Sequence, residues 1–271
     1  LRRAEQPGAG HMCFRVQDED DLERLERFCI SEGLRPQWTP AGYEPGQPRA
    51  LRVQDPHGFP IEFVASMTLV ERQLQRFDLY RGARIQRFDH FNCQTPNVDA
   101  AYAWWSSGLG FGCSEYTAAD DERLWAVWLQ RKGNVHDLAL MTGVGPRVHH
   151  FGFWLAEPTA ILAACDVLAS AGYVQAIERG PGRHGISNAF FLYLRDPDGN
   201  RIELFANDYL VVDPDWEPVR WSLEDPRRAT FWGHAAPPSW FDEAALCEDV
   251  VSGALLPTSA ASMRDRPQHV T

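Results

Sequence analysis

The chain has 271 residues, 44% of them hydrophobic, with 26 basic and 37 acidic side chains and a formal net charge of −11. That length supports one large or two modest domains with a real core, and the acidic balance weighs against nucleic acid as a partner. No apolar run approaches the roughly 20 residues that span a membrane, no signal peptide is visible, and six scattered cysteines without a CxxC pair read as reduced thiols of a cytoplasmic protein.

The chain starts at Leu1 and enters a strand-like segment, GHMCFRV, almost at once, which suggests that the natural N-terminus lies further upstream. A helix is expected near 20–33, with Leu22, Leu25 and Phe28 on its apolar face. The stretch VQDPHGFPIEFVAS follows, a DP-x-G turn leading into a short strand. The same series returns about 140 residues later: HHFGFW, a helix near 157–171 bearing Ile161, Ala164, Val167 and Leu168, then LRDPDGNRIELFAN. His11 thus matches His150, Asp55 matches Asp196 and Glu62 matches Glu203. A third copy lies between them, from RFDHFNCQTPNV through a helix near 98–107 to LWAVWLQRKG and HDLALMTG.

Three units of βαβββ type, about 10–66, 87–145 and 147–206, therefore predict an α+β fold made by duplication. Such units pair. The domain expectation is a one-unit remnant over 1–70, a linker over 71–86, a two-unit domain over 87–206 and a C-terminal extension over 207–271. The extension shows no helical or alternating periodicity. It carries turn signals (DPDWEP, EDPRR, APPSW) and the aromatics Trp216, Trp221, Phe231 and Trp232, and is expected to lie over the barrel and to fray after about residue 255.

The chemistry-bearing residues stand at repeat-related places. His90 in RFDHFN, His150 in RVHHFGFW and Glu203 in DGNRIELF each sit on a short apolar strand segment. Two imidazoles and one carboxylate on one face of a metal leave the other face open, the pattern of a non-haem Fe(II) site, and Mn(II) suits the same donors. His149 is expected on the opposite side of its strand, because side chains alternate. His136 in VHD can take and return a proton near neutrality, or simply bond to Asp137. Tyr193 can offer a phenol to a developing oxyanion, or fill the core within FFLYL. His184 lies in GPGRHG, whose glycines allow a tight loop over a pocket. Arg179, Arg183 and Arg228 could fork onto a carboxylate, or form surface ion pairs with Glu178 or Asp225. His11 and Glu62, lacking a second histidine, read as remnants or structural residues.

DHFN, RKG-x-VHD, GPR-x-HH, IERGPGRHG-x-SNAF, LY-x-x-DPD, RIE, DPRR and FWG occur in that order, most densely over 87–233. This series resembles the vicinal-oxygen-chelate superfamily and, within it, the type I extradiol ring-cleaving dioxygenases, closest to the branch that acts on 3,4-dihydroxyphenylacetate (homoprotocatechuate). The resemblance implies paired βαβββ half-barrels with the metal inside the C-terminal barrel. It implies Fe(II) on His90, His150 and Glu203, and acid–base work by His136. His184 and Tyr193 would lie on the substrate side, with Asn92 and Trp128 in the pocket and Arg179 and Arg228 on a substrate carboxylate. The expected reaction opens a catechol ring beside its two hydroxyls with O2, giving a muconic semialdehyde, and the expected assembly is a homotetramer. The family has four units in two domains, and only the second domain binds metal; here the first domain is represented by its second unit alone. A glyoxalase-like isomerase or a thiol transferase on the same fold would need a fourth protein ligand, which no residue obviously supplies. An inactive truncated member is the other alternative.

Overall fold

The computed structural model describes Ala4 and residues 6–269. The chain divides into two compact units, one running up to residue 78 and including 246–258, the other comprising 79–245 and the residues from 259 on. The first unit holds β1 (Gly8–Ala9), β2 (Met12–Arg15), α1 (Glu19–Ser31), β3 (Gln37–Thr39), β4 (Ala50–Gln54) and β5 (Pro60–Val64). Asp18 caps α1 by accepting the Asp21 amide at 3.0 Å, and Leu22 and Cys29 turn its apolar stripe inward.

The second unit holds β6 (Arg87–Thr95), α2 (Val98–Leu109), β7 (Gly112–Ala118), β8 (Leu124–Gln130), β9 (Leu138–Thr142), β10 (Arg147–Trp154), α3 (Pro158–Ser170), β11 (Ile177–Arg183), β12 (Phe190–Arg195), β13 (Arg201–Ala206), β14 (Val219–Ser222) and α4 (Ser239–Asp242). The last strand, β15 (Ala245–Cys247), pairs its Leu246 and Cys247 in parallel with β1.

The repeat is explicit in the strand order. The first unit reads β2-β5-β4-β3, and the second contains β6-β9-β8-β7 and β10-β13-β12-β11. In each copy the first strand pairs in parallel with the fourth, and the remaining pairs are antiparallel. The α+β, duplicated reading of the sequence therefore holds. The repeated DP-x-G motif also has a physical reason. Asp196 Oδ1 accepts the amides of Asp198 (3.0 Å) and Asn200 (2.8 Å), and Asp55 Oδ1 accepts those of His57 (2.9 Å) and Phe59 (2.7 Å). Gly199 and Gly58 take the left-handed φ of 87° and 90° that completes each turn.

In the second unit the two copies join edge to edge through antiparallel β6 and β10. Side chains of β8 and β11 line one cavity although six strand spacings separate them in the sheet order. At about 4.8 Å per spacing a flat sheet would hold them roughly 29 Å apart, so the sheet curls around that cavity. Leu155, Ile161, Ala164, Phe190, Leu192 and Leu204 pack α3 onto its outer side.

The stretch after 206, expected to be an ordered extension that frays after about residue 255, carries a strand its sequence did not signal and stays bonded beyond 255. β14 runs parallel to β7 with Val219 opposite Glu115. Beyond residue 255, the Ser259 amide bonds to Gly145 O at 2.8 Å, the Ser262 amide to Pro96 O at 2.8 Å, and Trp125 Nε1 donates to Arg264 O at 3.2 Å. These bonds run to residues distant in sequence, which no local periodicity reveals.

Asp196→Ala should remove two charge-assisted bonds to backbone amides and lower the unfolding free energy by about 1.5–3 kcal/mol, read as a shift of the urea midpoint at unchanged m value.

Candidate metal centre and active site

Three neighbouring strands carry the central cluster: His90 on β6, His150 on β10 and Glu203 on β13. Gly152 on β10 lies between them, opposite His90 on one side and Glu203 on the other. Its missing side chain is what lets them meet, since a Cβ there would stand 2.1 Å from His90 Cε1. Glu203 Oε2 lies 3.0 Å from His90 Nε2 and 3.2 Å from His150 Nε2, and one donor atom from each residue falls within 4.8 Å of the others. All three are buried.

The electrostatics fit a cation here. Burial raises the Glu203 carboxyl, but His150 and His90 outweigh it and hold it well below the usual range. Burial lowers His90, yet Asp89 and Glu203 raise it to about 9. His150 goes to about 4 because its burial prevails. The cluster thus stabilises positive charge against two carboxylates, a demand that a divalent ion bound to two imidazoles and a carboxylate would meet. Asp89 faces His90 Nδ1 at 3.4 Å and also takes Arg87 Nε at 3.1 Å and Asn134 Nδ2 at 3.3 Å. A carboxylate behind a ligand histidine orients the ring. The sequence reading missed Asp89, although its place beside His90 in DHFN was a signal.

His149 does not point away from His150 as strict alternation predicts. The β10–β6 register skips between Val148 and His150, a bulge that breaks the alternation. The two rings meet edge to face at 5.0 Å, with Nδ1 to Nδ1 at 2.7 Å.

The expected pocket residues all line a single cavity of about 310 Å³ with the three cluster residues: Asn92, Trp128, His136, Arg179, His184, Tyr193 and Arg228. That volume suits a small aromatic ligand. His136 packs against His90 with ring centroids 4.0 Å apart. It is not bonded to Asp137, whose carboxylate instead takes the Arg131 amide at 2.6 Å and Lys132 Nζ at 2.7 Å. Burial, then the charge of His90, pushes His136 well below its ordinary value, so the ring is neutral. Asn92 Oδ1 is buried without a hydrogen-bond partner.

On the other side, His184 Nδ1 donates to the Ala229 carbonyl, so its Nε2 accepts the Tyr193 hydroxyl proton at 2.9 Å. Burial, then Arg179, lowers His184 to about 3, and burial, then Glu203, raises the Tyr193 phenol well above 10. Both are therefore neutral.

Arg179 and Arg228 are buried rather than engaged in surface pairs. Glu178 is bound by Arg195 and Arg201, and Asp225 by Arg227. Arg179 Nη2 reaches Ala229 O at 2.9 Å and Thr230 Oγ1 at 2.8 Å, while its Nε has no partner. Arg228 Nε reaches Leu223 O at 3.1 Å, and its guanidinium lies 4.6 Å over the Trp125 ring. Among the described residues neither makes an ion pair with a carboxylate. Burial lowers Arg179, and lowers Arg228 to about 10. Arg183 is not in the cavity wall and donates to Asn188 O at 2.7 Å. Trp240, Pro267 and His269 also line the cavity, and no sequence signal pointed to them.

Residues 87–204 match the family model described as Glyoxalase/Bleomycin resistance protein/Dioxygenase superfamily. The chain is 35% identical to a manganese-dependent 2,3-dihydroxybiphenyl 1,2-dioxygenase of Geobacillus genomosp. 3, over 82% of this chain and 74% of that protein. It is 32% identical to a metapyrocatechase of Pseudomonas sp. (strain CF600), over 86% and 77%. Among solved structures, homoprotocatechuate 2,3-dioxygenase from Arthrobacter globiformis superposes with a TM-score of 0.92 at 40% identity, covering 95% of this chain and 80% of that one. An extradiol ring-cleaving dioxygenase from B. fuscum gives 0.91 at 40% identity, covering 94% and 71%. The chain belongs to the extradiol dioxygenases of that superfamily.

Gly152→Ala should displace the His90 imidazole, since the 2.1 Å approach cannot be tolerated. The expected result is a folded protein that retains no stoichiometric iron or manganese, seen by metal analysis beside an unchanged circular dichroism spectrum.

Proposed function

We propose that the protein cleaves a catechol bearing an anionic side chain, best represented by 3,4-dihydroxyphenylacetate, beside its two hydroxyls, both atoms of O2 entering a muconic semialdehyde. One observation carries this reading: the His90–His150–Glu203 cluster and two buried guanidiniums without carboxylate partners share one cavity of about 310 Å³.

His90 Nε2, His150 Nε2 and a Glu203 oxygen would hold the metal, with Fe(II) the proposed ion; Mn(II) fits the same donors, and one relative is manganese-dependent. When bound, that ion would draw the catechol into its anionic form and let the diol and O2 exchange electrons without an external reductant. The protein's own groups do the rest. Arg179 and Arg228 present free donors to the side-chain anion and so set the ring's orientation. Asn92, in the cavity wall, offers its side-chain amide to the diol. Tyr193 Oη can take a substrate proton as it passes its own to His184 Nε2, 2.9 Å away. His136, neutral beside His90, takes a proton on the opposite side and returns it as the ring opens. Trp125, Trp128 and Trp240 keep the walls apolar and exclude water.

A cytoplasmic location goes with this proposal, supported by six free cysteines, as does a homotetramer, supported by family resemblance. The same resemblance supports reading the first unit as part of a non-catalytic domain and the chain after 206 as a cover for the site.

Anaerobically loaded with Fe(II) and mixed with 3,4-dihydroxyphenylacetate in aerated buffer, the protein should consume one O2 per diol and form a yellow product, and His150→Ala should do neither. No uptake by the metal-loaded protein with this diol or with catechol would overturn the assignment. Arg228→Met should raise KM for 3,4-dihydroxyphenylacetate by about ten- to a hundredfold, the worth of a lost charge-assisted bond, and leave plain catechol nearly unaffected. An equal loss on both diols would reject the arginine as the anion's partner.

A further inference from the structure

His149 is used by no step above, yet it is buried directly behind His150. Its Nε2 lies 2.7 Å from the Trp240 carbonyl oxygen. A carbonyl only accepts, so Nε2 carries a proton. His149 sits against the Arg201 guanidinium, whose Nη1 donates to the His149 carbonyl at 3.1 Å. The His149 Nδ1 lies 2.7 Å from His150 Nδ1, a hydrogen-bond distance at which one proton is shared between the two nitrogens. A His150 that offers its Nε2 lone pair to a metal keeps its ring proton on Nδ1, so His150 is the donor of that bond and His149 Nδ1 the acceptor. His150 then carries hydrogen on Nδ1 and a lone pair on Nε2, the atom 3.2 Å from Glu203.

We propose that His149 is a positioning residue: it passes a proton arrangement from the Trp240 carbonyl to His150 and keeps the His150 Nε2 lone pair free for the metal. This deepens the proposed function and rests on His150 being a ligand. The carbonyl itself is fixed. Arg201 Nη2 donates to Ser239 O at 3.0 Å and Nη1 to Glu243 O at 3.0 Å, so one guanidinium ties both ends of α4 to the strand that carries His149. The Trp240 ring meets His149 at 4.4 Å and 70°, which holds the imidazole plane. The two ligand histidines are thus supported differently. His90 has the carboxylate of Asp89 behind it, and His150 has the imidazole of His149, whose acceptor nitrogen is set from the C-terminal segment.

The test is Mn(II) binding to the metal-free protein, followed by the electron paramagnetic resonance of free Mn(II), for the unsubstituted chain and the variants His149→Phe, His149→Asn, His149→Gln and His150→Ala. The Asn oxygen falls where Nδ1 lies and can accept from His150. The Gln nitrogen falls where Nε2 lies and serves only Trp240. His149→Phe and His149→Gln should weaken Mn(II) binding by about ten- to a hundredfold, the range for groups that orient a metal ligand, with His149→Asn restoring most of it. Binding of the Phe variant within about threefold of the unsubstituted chain, or Gln as good as Asn, overturns the proposal. If the Phe variant does not fold, the Asn–Gln comparison decides. Unchanged binding by His150→Ala would instead sink the ligand assignment itself, a separate failure.

Discussion

A bare stretch of backbone is the constraint on which this site depends. His90 and Glu203 lie on strands either side of β10, both opposite Gly152. Two strand spacings put about 9.6 Å between their backbones, yet their side chains meet at 3.0 Å. They can lean across only because nothing rises from Gly152 between them, and His150, two residues earlier on the same strand, closes the third side. Cluster geometry is therefore a property of sheet register. β6 and β10 must pair with His90 opposite Gly152, and β10 and β13 with Gly152 opposite Glu203. A slip of one residue in either ladder would send a ligand to the other face.

Around that cluster the same residue type serves two opposite purposes. Arg201 uses all five donors: Nε and Nη2 on Glu178, Nη2 also on Ser239 O, and Nη1 on the His149 and Glu243 carbonyls. Such a satisfied buried guanidinium is a structural tie, in keeping with the high cost of an uncompensated buried charge. Arg179 spends Nη2 on Ala229 and Thr230 and leaves Nε buried and unpaired. Its guanidinium lies 4.6 Å over the Trp240 ring and 4.9 Å over the Phe191 ring, which offset part of the cost of burying the charge. One arginine is thus fully tied to the fold, and the other borders the cavity without a carboxylate partner among the described residues.

Much of this was legible in the sequence because duplication marks its own chemistry. Each DP-x-G turn predicted the strand after it, and the matching places of His11 with His150 and Glu62 with Glu203 flagged strand positions where ionisable residues recur. The helices near 20–33, 98–107 and 157–171 fall within a few residues of α1, α2 and α3. What could not be read depends on contacts distant in sequence or on exceptions to periodicity. The bulge at Val148–His150 turns His149 toward His150, although local alternation predicts the reverse. Trp240 reaches the site through α4, a single turn held by Arg201 from far upstream. The chain after 255 is held by a pair of hydrogen bonds between Ser259 and Gly145 and by bonds to Pro96 and Trp125, and such pairings leave no local pattern.

The first unit, in which the described residues form no such cluster, repeats much of the metal site's framework. Its β2–β5 ladder repeats the β10–β13 register: Cys13 opposes Glu62 as Gly152 opposes Glu203, and His11 stands two residues before Cys13 as His150 does before Gly152. Two exchanges follow from that register. Where Gly152 leaves room for an imidazole from the neighbouring strand, Cys13 has a side chain. Where Tyr193 opposes Glu203, Arg52 opposes Glu62. Arg52 Nε bonds to Glu62 Oε2 at 2.6 Å, and Gln47 Nε2 takes the other oxygen at 2.6 Å. Burial raises the Glu62 carboxyl, but Arg52, His11 and Gln47 more than reverse it. A fixed guanidinium thus supplies the positive charge that a divalent ion would bring to Glu203, and it occupies the carboxylate while doing so. Tyr193 is neutral, its hydroxyl 2.9 Å from His184 Nε2, and brings no charge to Glu203, whose Oε2 faces His90 and His150.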